Sequence, residues 1–131
     1  MAEKSYADRP LLDKLGIKPG MRVAVVGVED ASFMADLSAR TSDITLGEPI
    51  SETDAIFLNV EGPDDVRRLG ELRRRIKPDG AVWAVFRKGR KQFNENAVLR
   101  IGLESGLVDV KVVRFSDTHT ALKFVIRKAE R

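Results

Sequence analysis

The stretch 'MRVAVVGVEDASFMADL' (residues 21–37) contains the first residues that could do chemistry. A short apolar run ends at Gly27, and two acids, Glu29 and Asp30, follow at the start of a helical pattern. A strand, a glycine turn and a helix N-terminus in this order form the cofactor-binding corner of many α/β proteins. Two carboxylates would repel a pyrophosphate there, so NAD, FAD and ATP are disfavoured. The alternative interpretation is that Asp30 caps the helix and Glu29 complements its dipole.

Polar residues also follow the other predicted strands, in 'NVEG', 'FRKGRK' and 'SDTHT'. Ligands of open α/β sheets bind beyond the carboxyl ends of the strands, where these segments would meet 'GVED'. His119 could act there as a general base at neutral pH, or it could be an ordinary hydrogen-bonded turn residue. We identify no catalytic set and no metal ligands. The candidate ligand- or cofactor-binding residues are Gly27, Glu29, Asp30, Asn59, Glu61, Arg87, Lys88, Asp117 and His119.

Three nearly continuous apolar runs predict strands that are covered on both faces. Gly47 and Pro49 leave room for only a very short strand near residues 43–46, and 'KPDG' (77–80) is typical of a turn. Two alternating segments around 'SDTHT' predict a C-terminal hairpin. The apolar runs are residues 22–27, 54–60 and 81–86, and the hairpin strands are 'LVDVKVVRF' and 'TALKFVIRK'.

Helical patterns separate these strands. 'DRPLLDKLG' predicts a short N-terminal helix, and residues 30–40 predict a second. A third begins at Gly62 and Pro63, and 'NENAVLRIGLESG' predicts a fourth, with Asn94 as N-cap and Gly106 just past its end. The residues predicted to face the core are Ala31, Phe33, Met34 and Leu37 in the second helix, with Asp36 outward, and Val66, Leu69, Leu72 and Ile76 in the third.

This order of elements predicts one α/β domain over residues 1–131, with an N-terminal helix and turn in residues 1–18. The sheet is expected to be open, mostly parallel and Rossmann-like, with helices on both faces and one antiparallel hairpin strand. The short segment between Arg40 and Asp54 has no room for a complete strand–helix unit.

The composition excludes several classes of protein. The chain has no cysteine and one histidine, which argues against disulfide frameworks and His- or Cys-based metal sites. No window approaches the length of a membrane span, and residues 1–20 do not resemble a signal peptide, so we expect a cytoplasmic protein. The formal net charge is only +3.

Positive charge is concentrated in residues 67–91, which contain ten bases and two acids. Expected i,i+4 pairs, Asp64 with Arg68 and Glu71 with Arg75, would make the helical part an ordinary solvated surface. The segment 'FRKGRKQF' lacks nearby acids and could hold a nucleic-acid backbone. Because Phe86 is expected to end a buried strand and the net charge is small, we expect no salt-sensitive nucleic-acid binding at physiological ionic strength.

'LGIKPGMRVAVVG' resembles the first strand of class I S-adenosylmethionine-dependent methyltransferases. 'DAIFLNV' and 'RIKPDGAVWAVF' resemble their fourth and fifth strands, and 'ESGLVDVKVVRF…TALKFVIRK' resembles their terminal hairpin. The likeness covers roughly residues 14–128. It implies a sheet of seven strands, and the short segment between Arg40 and Asp54 reduces this expectation to about six. With the segments 'KPG-R-VAV-G', 'KPDG-W' and 'GLVD-KV…LKFV-R', the chain is also identified as a member of a family of small bacterial proteins. The family is known as a domain of unknown function, and no activity is assigned to it.

The chain departs from the methyltransferase pattern at the cofactor loop. Val25 stands where the resemblance implies an acid, and Glu29 and Ala31 stand where it implies further glycines. The acid that would hold the ribose hydroxyls is missing, since Asp43 lies at the start of the very short second strand. Asn59 also lacks the 'PP-aromatic' continuation of amino-methylating relatives. S-adenosylmethionine carries no phosphate and a positive sulfonium, so the acids do not exclude it, but we do not expect it to bind.

The sequence thus favours a methyltransferase-like domain that is non-catalytic and acts as a binding or interaction module. A protein or small-molecule partner is favoured over nucleic acid. The alternatives are an S-adenosylmethionine-dependent methyltransferase with an atypical cofactor loop, and an accessory nucleic-acid-binding protein.

Overall fold

The computed structural model of the protein describes residues 10–131, in which six strands form one sheet. The sheet order is β2-β1-β3-β4-β6-β5. All pairs are parallel except those of β6, which lies antiparallel between β4 and β5. The predicted α/β fold, the number of strands and the antiparallel hairpin strand are therefore confirmed. The strands are β1 (Val23–Val26), β2 (Ile44–Leu46), β3 (Thr53–Asn59), β4 (Ile76–Arg87), β5 (Leu107–Arg114) and β6 (His119–Ile126).

Helices cover both faces of the sheet. Leu12 and Phe33 belong to a core cluster on one face, and Val66 and Val98 belong to the cluster on the other. None of the helices within residues 10–131 has the length and apolarity that crossing a bilayer requires. The helices are α1 (Leu11–Lys14), α2 (Ala31–Arg40), α3 (Pro63–Arg67), α4 (Leu69–Leu72) and α5 (Glu95–Glu104), with 3-10 turns at Arg73–Arg75 and Lys128–Glu130.

The apolar runs are explained by burial on both faces of the central strands. Ile56 and Leu58 of β3 point into the cluster beneath α3, α4 and α5, whereas Ala55 and Phe57 point into the cluster beneath α1 and α2. The Phe57 ring packs edge-on against Phe33 of α2, with ring centroids 5.0 Å apart. A strand with apolar neighbours on both sides has no reason to alternate with polar residues.

Three helical predictions were wrong in detail. Ala31 is exposed, because it lies in the first turn of α2, whereas Phe33 and Leu37 are buried as expected. The predicted single helix after Pro63 is divided into α3, α4 and a 3-10 turn, and Gly70 within it has low helix propensity. Ile76 is buried, but it begins β4 instead of ending the helix.

The 'KPDG' segment is part of β4 and is not a turn between elements. Between the pairs Thr53–Ile76 and Ala55–Ala81, β3 advances by two residues while β4 advances by five, so the extra residues form a bulge. Lys77 in this bulge forms an ion pair with Asp54 of β3 (Nζ–Oδ1, 3.0 Å). A proline and a glycine, which usually indicate a turn, here indicate an irregular strand.

Neither predicted i,i+4 ion pair, Asp64 with Arg68 or Glu71 with Arg75, is present within the described residues 10–131, and Asp64 and Arg68 have other partners. Asp64 pairs with Arg67 (2.7 Å), and Arg68 pairs with Glu48 after β2 (2.7 Å). Arg68 lies between α3 and α4, and its side chain reaches a neighbouring element of the fold.

Candidate functional site

The carboxyl ends of the strands enclose a small cleft of about 90 Å³. Since β5 runs parallel to β4, the hairpin turn after it emerges at the same edge as the β1 and β3 loops. Residues from three distant parts of the chain therefore share one surface. The cleft is lined by Val28, Glu29, Asp30, Asn59, Val85, Phe115, Thr118 and His119.

The backbone conformation of the turn after β1 requires a glycine. Gly27 has a φ of 77°, in the left-handed region that residues with a Cβ rarely adopt. A Cβ built on Gly27 would lie 3.5 Å from the Cβ of Asn59, which is ordinary van der Waals contact. The turn alone explains this glycine, without a ligand that must approach its backbone closely.

Asp30 is the N-cap of α2, as predicted. Its backbone is extended, and its Oδ1 accepts a hydrogen bond from the backbone N–H of Phe33 at 2.9 Å. Glu29 beside it is exposed. One backbone donor at the N-terminus of α2, the end that faces a ligand in cofactor-binding proteins, is thus already paired with a side chain of the protein.

Hydrogen bonds fix the loop after β3 at the second side of the cleft. The Asn59 amide donates to Glu61 Oε2 (3.2 Å), and the Glu61 backbone N–H donates to Asp65 Oδ2 (2.8 Å). The guanidinium of Arg90 donates to the Glu61 carbonyl oxygen (3.1 Å). This arrangement holds Asn59 towards the cleft and leaves the Glu61 carboxylate at the exposed rim.

His119 lies at the third side, at the start of β6. Its Nδ1 shares a hydrogen bond of 2.8 Å with Thr118 Oγ1, and its backbone N–H donates to Ser116 Oγ. Burial lowers the pKa of His119 below its ordinary value, and the nearby Arg87 charge lowers it further, whereas Asp30 and Glu61 oppose the shift. The imidazole is therefore mainly neutral at neutral pH, and a neutral imidazole can accept a proton.

The structure places the sequence-predicted residues at different distances from the cleft. Glu29, Asp30, Asn59 and His119 line the cleft, and Gly27 and Glu61 adjoin it in the same loops. Arg87 and Lys88 are exposed beside it, where the Lys88 backbone N–H donates to the Thr118 carbonyl oxygen (3.0 Å). Asp117 is at the hairpin tip, paired with Arg114 (2.8 Å), and does not line the cleft.

Sequence reasoning missed Val28, Val85, Phe115 and Thr118 as lining residues. Thr118 was within the quoted hairpin turn and could have been found as the neighbour of His119. Phe115 gave no polar signal, yet its ring contacts Phe33 (centroids 4.9 Å apart) and closes one side of the cleft. An apolar lining residue has the same sequence signature as a core residue.

A larger hollow of about 360 Å³ at the amino ends of the strands is lined by Arg22, Asp43, Asp54 and Lys77, which pair with one another. Within residues 10–131, no group of three or more His, Asp or Glu side chains is placed to hold a metal ion.

No protein-family model matches the chain, and no curated protein matches it in sequence. Solved structures do match in fold. An S-adenosylmethionine-dependent methyltransferase from Aquifex aeolicus is 18% identical with a TM-score of 0.70, and the match covers 89% of this chain and 88% of that one. A chain of a complex between the Haloferax volcanii Trm112 methyltransferase activator and a methyltransferase is 10% identical with a TM-score of 0.66, and the match covers 88% of this chain and 86% of that one.

A third match is the fibrillarin of Aeropyrum pernix, solved with natively bound S-adenosyl-L-methionine. It is 12% identical with a TM-score of 0.57, and the match covers 82% of this chain and 67% of that one. At these identities the likeness concerns the fold alone. The protein therefore has a methyltransferase-like α/β fold, as the sequence resemblance implied.

Proposed function

We propose that this chain is a methyltransferase-like binding module, which takes a small neutral or cationic ligand at the cleft and transfers no methyl group. The observation that carries this proposal is the Asp30 cap, whose Oδ1 occupies the Phe33 N–H at the α2 N-terminus. A cofactor loop leaves such backbone donors and the space beside them open, which is why it is rich in glycine. Here Glu29 and Asp30 add two carboxylates to that space.

The size of the cleft supports the same conclusion. Its volume of about 90 Å³ is below the roughly 300–1,000 Å³ that is typical of sites for drug-sized ligands. A nucleoside-sized molecule would have to extend well outside it. The cleft fits a small molecule, or one polar group of a larger one.

Charge indicates what that group is. Glu29 and Asp30 line the cleft and Glu61 adjoins it, whereas His119 is mainly neutral and Arg87 lies outside. The surrounding carboxylates favour a cationic or neutral group over an anionic one. An ammonium group could pair with Glu29 while Asn59 or His119 accepts or donates a further hydrogen bond.

The second candidate function is an S-adenosylmethionine-dependent methyltransferase with an atypical cofactor loop. It is supported by the fold of the matched structures, one of which carries S-adenosyl-L-methionine. The positive sulfonium would also suit the acidic cleft. Under this candidate, neutral His119 would accept the proton of the methyl acceptor.

Native mass spectrometry of protein purified from its own host tests the first proposal. We expect a retained small molecule in the wild type, lost in Thr118→Trp, which places a bulky side chain at the wall of the cleft, and kept in Ser38→Trp, which alters an exposed position on α2. Retention of an S-adenosyl compound would favour the second candidate. Retention of a protein alone, with nothing bound in the cleft, would contradict a small-molecule module.

Membership in the family of small bacterial proteins and a cytoplasmic location belong to the same proposal. The segments 'KPG-R-VAV-G' and 'GLVD-KV…LKFV-R' support the membership.

A further inference from the structure

The loop after β4 carries an unusual density of uncompensated positive charge. Its five residues, 87–91, contain two arginines and two lysines, and we call this segment the basic loop. All four side chains are exposed. Among the residues that the structure describes, none of the four lies within 4.0 Å of a carboxylate. Of the bases in residues 67–77, Arg67, Arg68, Arg73 and Lys77 form ion pairs within this described part of the chain, and Arg74 and Arg75 do not. The basic loop is therefore not an ordinary surface on which charges neutralise one another.

One of the four cations has a structural role. Arg90 donates to the Glu61 carbonyl oxygen and lies over the Phe93 ring, with its Cζ 5.8 Å from the ring centroid. The backbone of Lys88 donates to the Thr118 carbonyl oxygen, so the basic loop is tied to the hairpin as well. Gly89 (φ 83°) provides the bend between these anchors. The loop is held in place while Arg87, Lys88 and Lys91 remain available to a partner.

We propose that the basic loop binds the phosphate backbone of a nucleic acid, with Arg87, Lys88 and Lys91 as the contacting cations. From the sequence alone we expected no such binding, because the net charge of the chain is small. A phosphate backbone is recognised by local, unpaired cations, and the net charge of the chain is a poor measure of these.

The chemistry of the surface favours nucleic acid over an acidic protein. Protein interfaces usually centre on an apolar or aromatic patch, but Phe86 and Phe93, which flank the basic loop, are 2% and 5% exposed. The same burial leaves no aromatic face for base stacking. Binding is therefore to phosphates, without preference for base sequence.

Fluorescence anisotropy with a labelled mixed-sequence single-stranded RNA tests the proposal. Three phosphate contacts give a salt slope of about −2 on a single strand, so affinity should fall about 20-fold between roughly 50 and 200 mM salt. The triple reversal Arg87→Glu, Lys88→Glu and Lys91→Glu should lose at least about tenfold in affinity at the lower salt concentration.

The matched control is the triple reversal of Arg67, Arg74 and Arg75 to Glu, which alters the net charge equally at exposed positions outside the basic loop. It should lose much less affinity, because the effect is local. Equal losses in both triple variants, no loss in either, or wild-type binding that does not depend on salt would overturn the proposal. Polyglutamate binding as tightly as RNA would also overturn it and indicate an acidic protein partner. Melting temperatures establish that both variants are folded, and the result does not depend on whether the cleft binds a small molecule.

Discussion

Arg87 lies directly opposite His119 in the antiparallel pair of β4 and β6. This register places a permanent cation beside the single histidine of the chain, which lines the cleft. The pKa of His119 is lowered first by burial and second by the Arg87 charge. The pairing thus connects the basic loop, which begins at Arg87, with the protonation state of the cleft.

The first prediction concerns this pKa. We expect the His119 ring to titrate below its ordinary value of about 6.5, and Arg87→Gln to raise the pKa partway towards that value, because burial remains. NMR can follow the ring resonance without ambiguity, since the chain contains one histidine. Lys88→Gln is the control, with the same charge change one residue away and little expected effect. A wild-type pKa at or above about 6.5 would contradict the structure.

The second prediction concerns stability and pH. A histidine whose folded pKa is lowered binds fewer protons when folded than when unfolded, so His119 makes unfolding easier as pH falls below about 6.5. Its unfavourable contribution disappears above that pH. The free energy of unfolding of wild type should therefore fall more between about pH 7 and 5 than that of His119→Gln. Parallel pH profiles from urea titrations would show that His119 is not linked to folding.

The third prediction tests the helix cap that carries the proposed function. Asp30→Ala should lower the free energy of unfolding by about 0.5–2 kcal/mol, because the Phe33 N–H loses its acceptor. Asp30→Asn keeps an acceptor oxygen without the charge and should cost much less. Urea unfolding of both variants measures the difference. If Asp30→Ala is as stable as wild type, the carboxylate is not held by capping and is free for another role.

The fourth prediction tests the packing of α5 on the sheet. A Cβ added at Gly102 would lie 2.3 Å from the Phe124 ring, so Gly102→Ala should destabilise by about 1–3 kcal/mol. Gly70→Ala in α4 is the matched control, because its Cβ would meet nothing closer than 3.9 Å. Better helix propensity should make that variant neutral or more stable by up to about 1 kcal/mol. Thermal unfolding that ranks the two variants in the opposite order would contradict the described packing.

The fold could be predicted from sequence because its central signals are strong and local. The apolar runs that became β1, β3 and β4 are typical of strands that are buried on both faces. Asn94 caps the start of α5, and Gly106 follows its C-cap with a positive φ. The bulge at 'KPDG' could not be predicted, because Lys77 is placed by its partner Asp54, over twenty residues earlier in the sequence. Likewise, the exchange of the Asp64–Arg68 pair for Arg68–Glu48 depends on where the helix is interrupted.

Four polar residues that line the cleft were among the predicted candidates, whereas Thr118 and the apolar lining residues were not. The rule that parallel strands end at one edge brings Glu29, Asn59 and His119 together, and the structure places all three on one cleft. That rule does not give the volume of the cleft or the orientation of Asp117, which depend on packing at the hairpin tip. Whether these residues bind a ligand stays a prediction.

The most direct test of the central claim is isothermal titration calorimetry with S-adenosylmethionine. The occupied α2 N-terminus and the small cleft predict no binding, or a dissociation constant well above about 10 μM. The Thr118→Trp variant, which places a bulky side chain at the wall of the cleft, should then give the same trace as wild type. A dissociation constant of about 10 μM or tighter in wild type, lost in Thr118→Trp, would contradict the binding-module account and establish the cleft as a methyltransferase cofactor site.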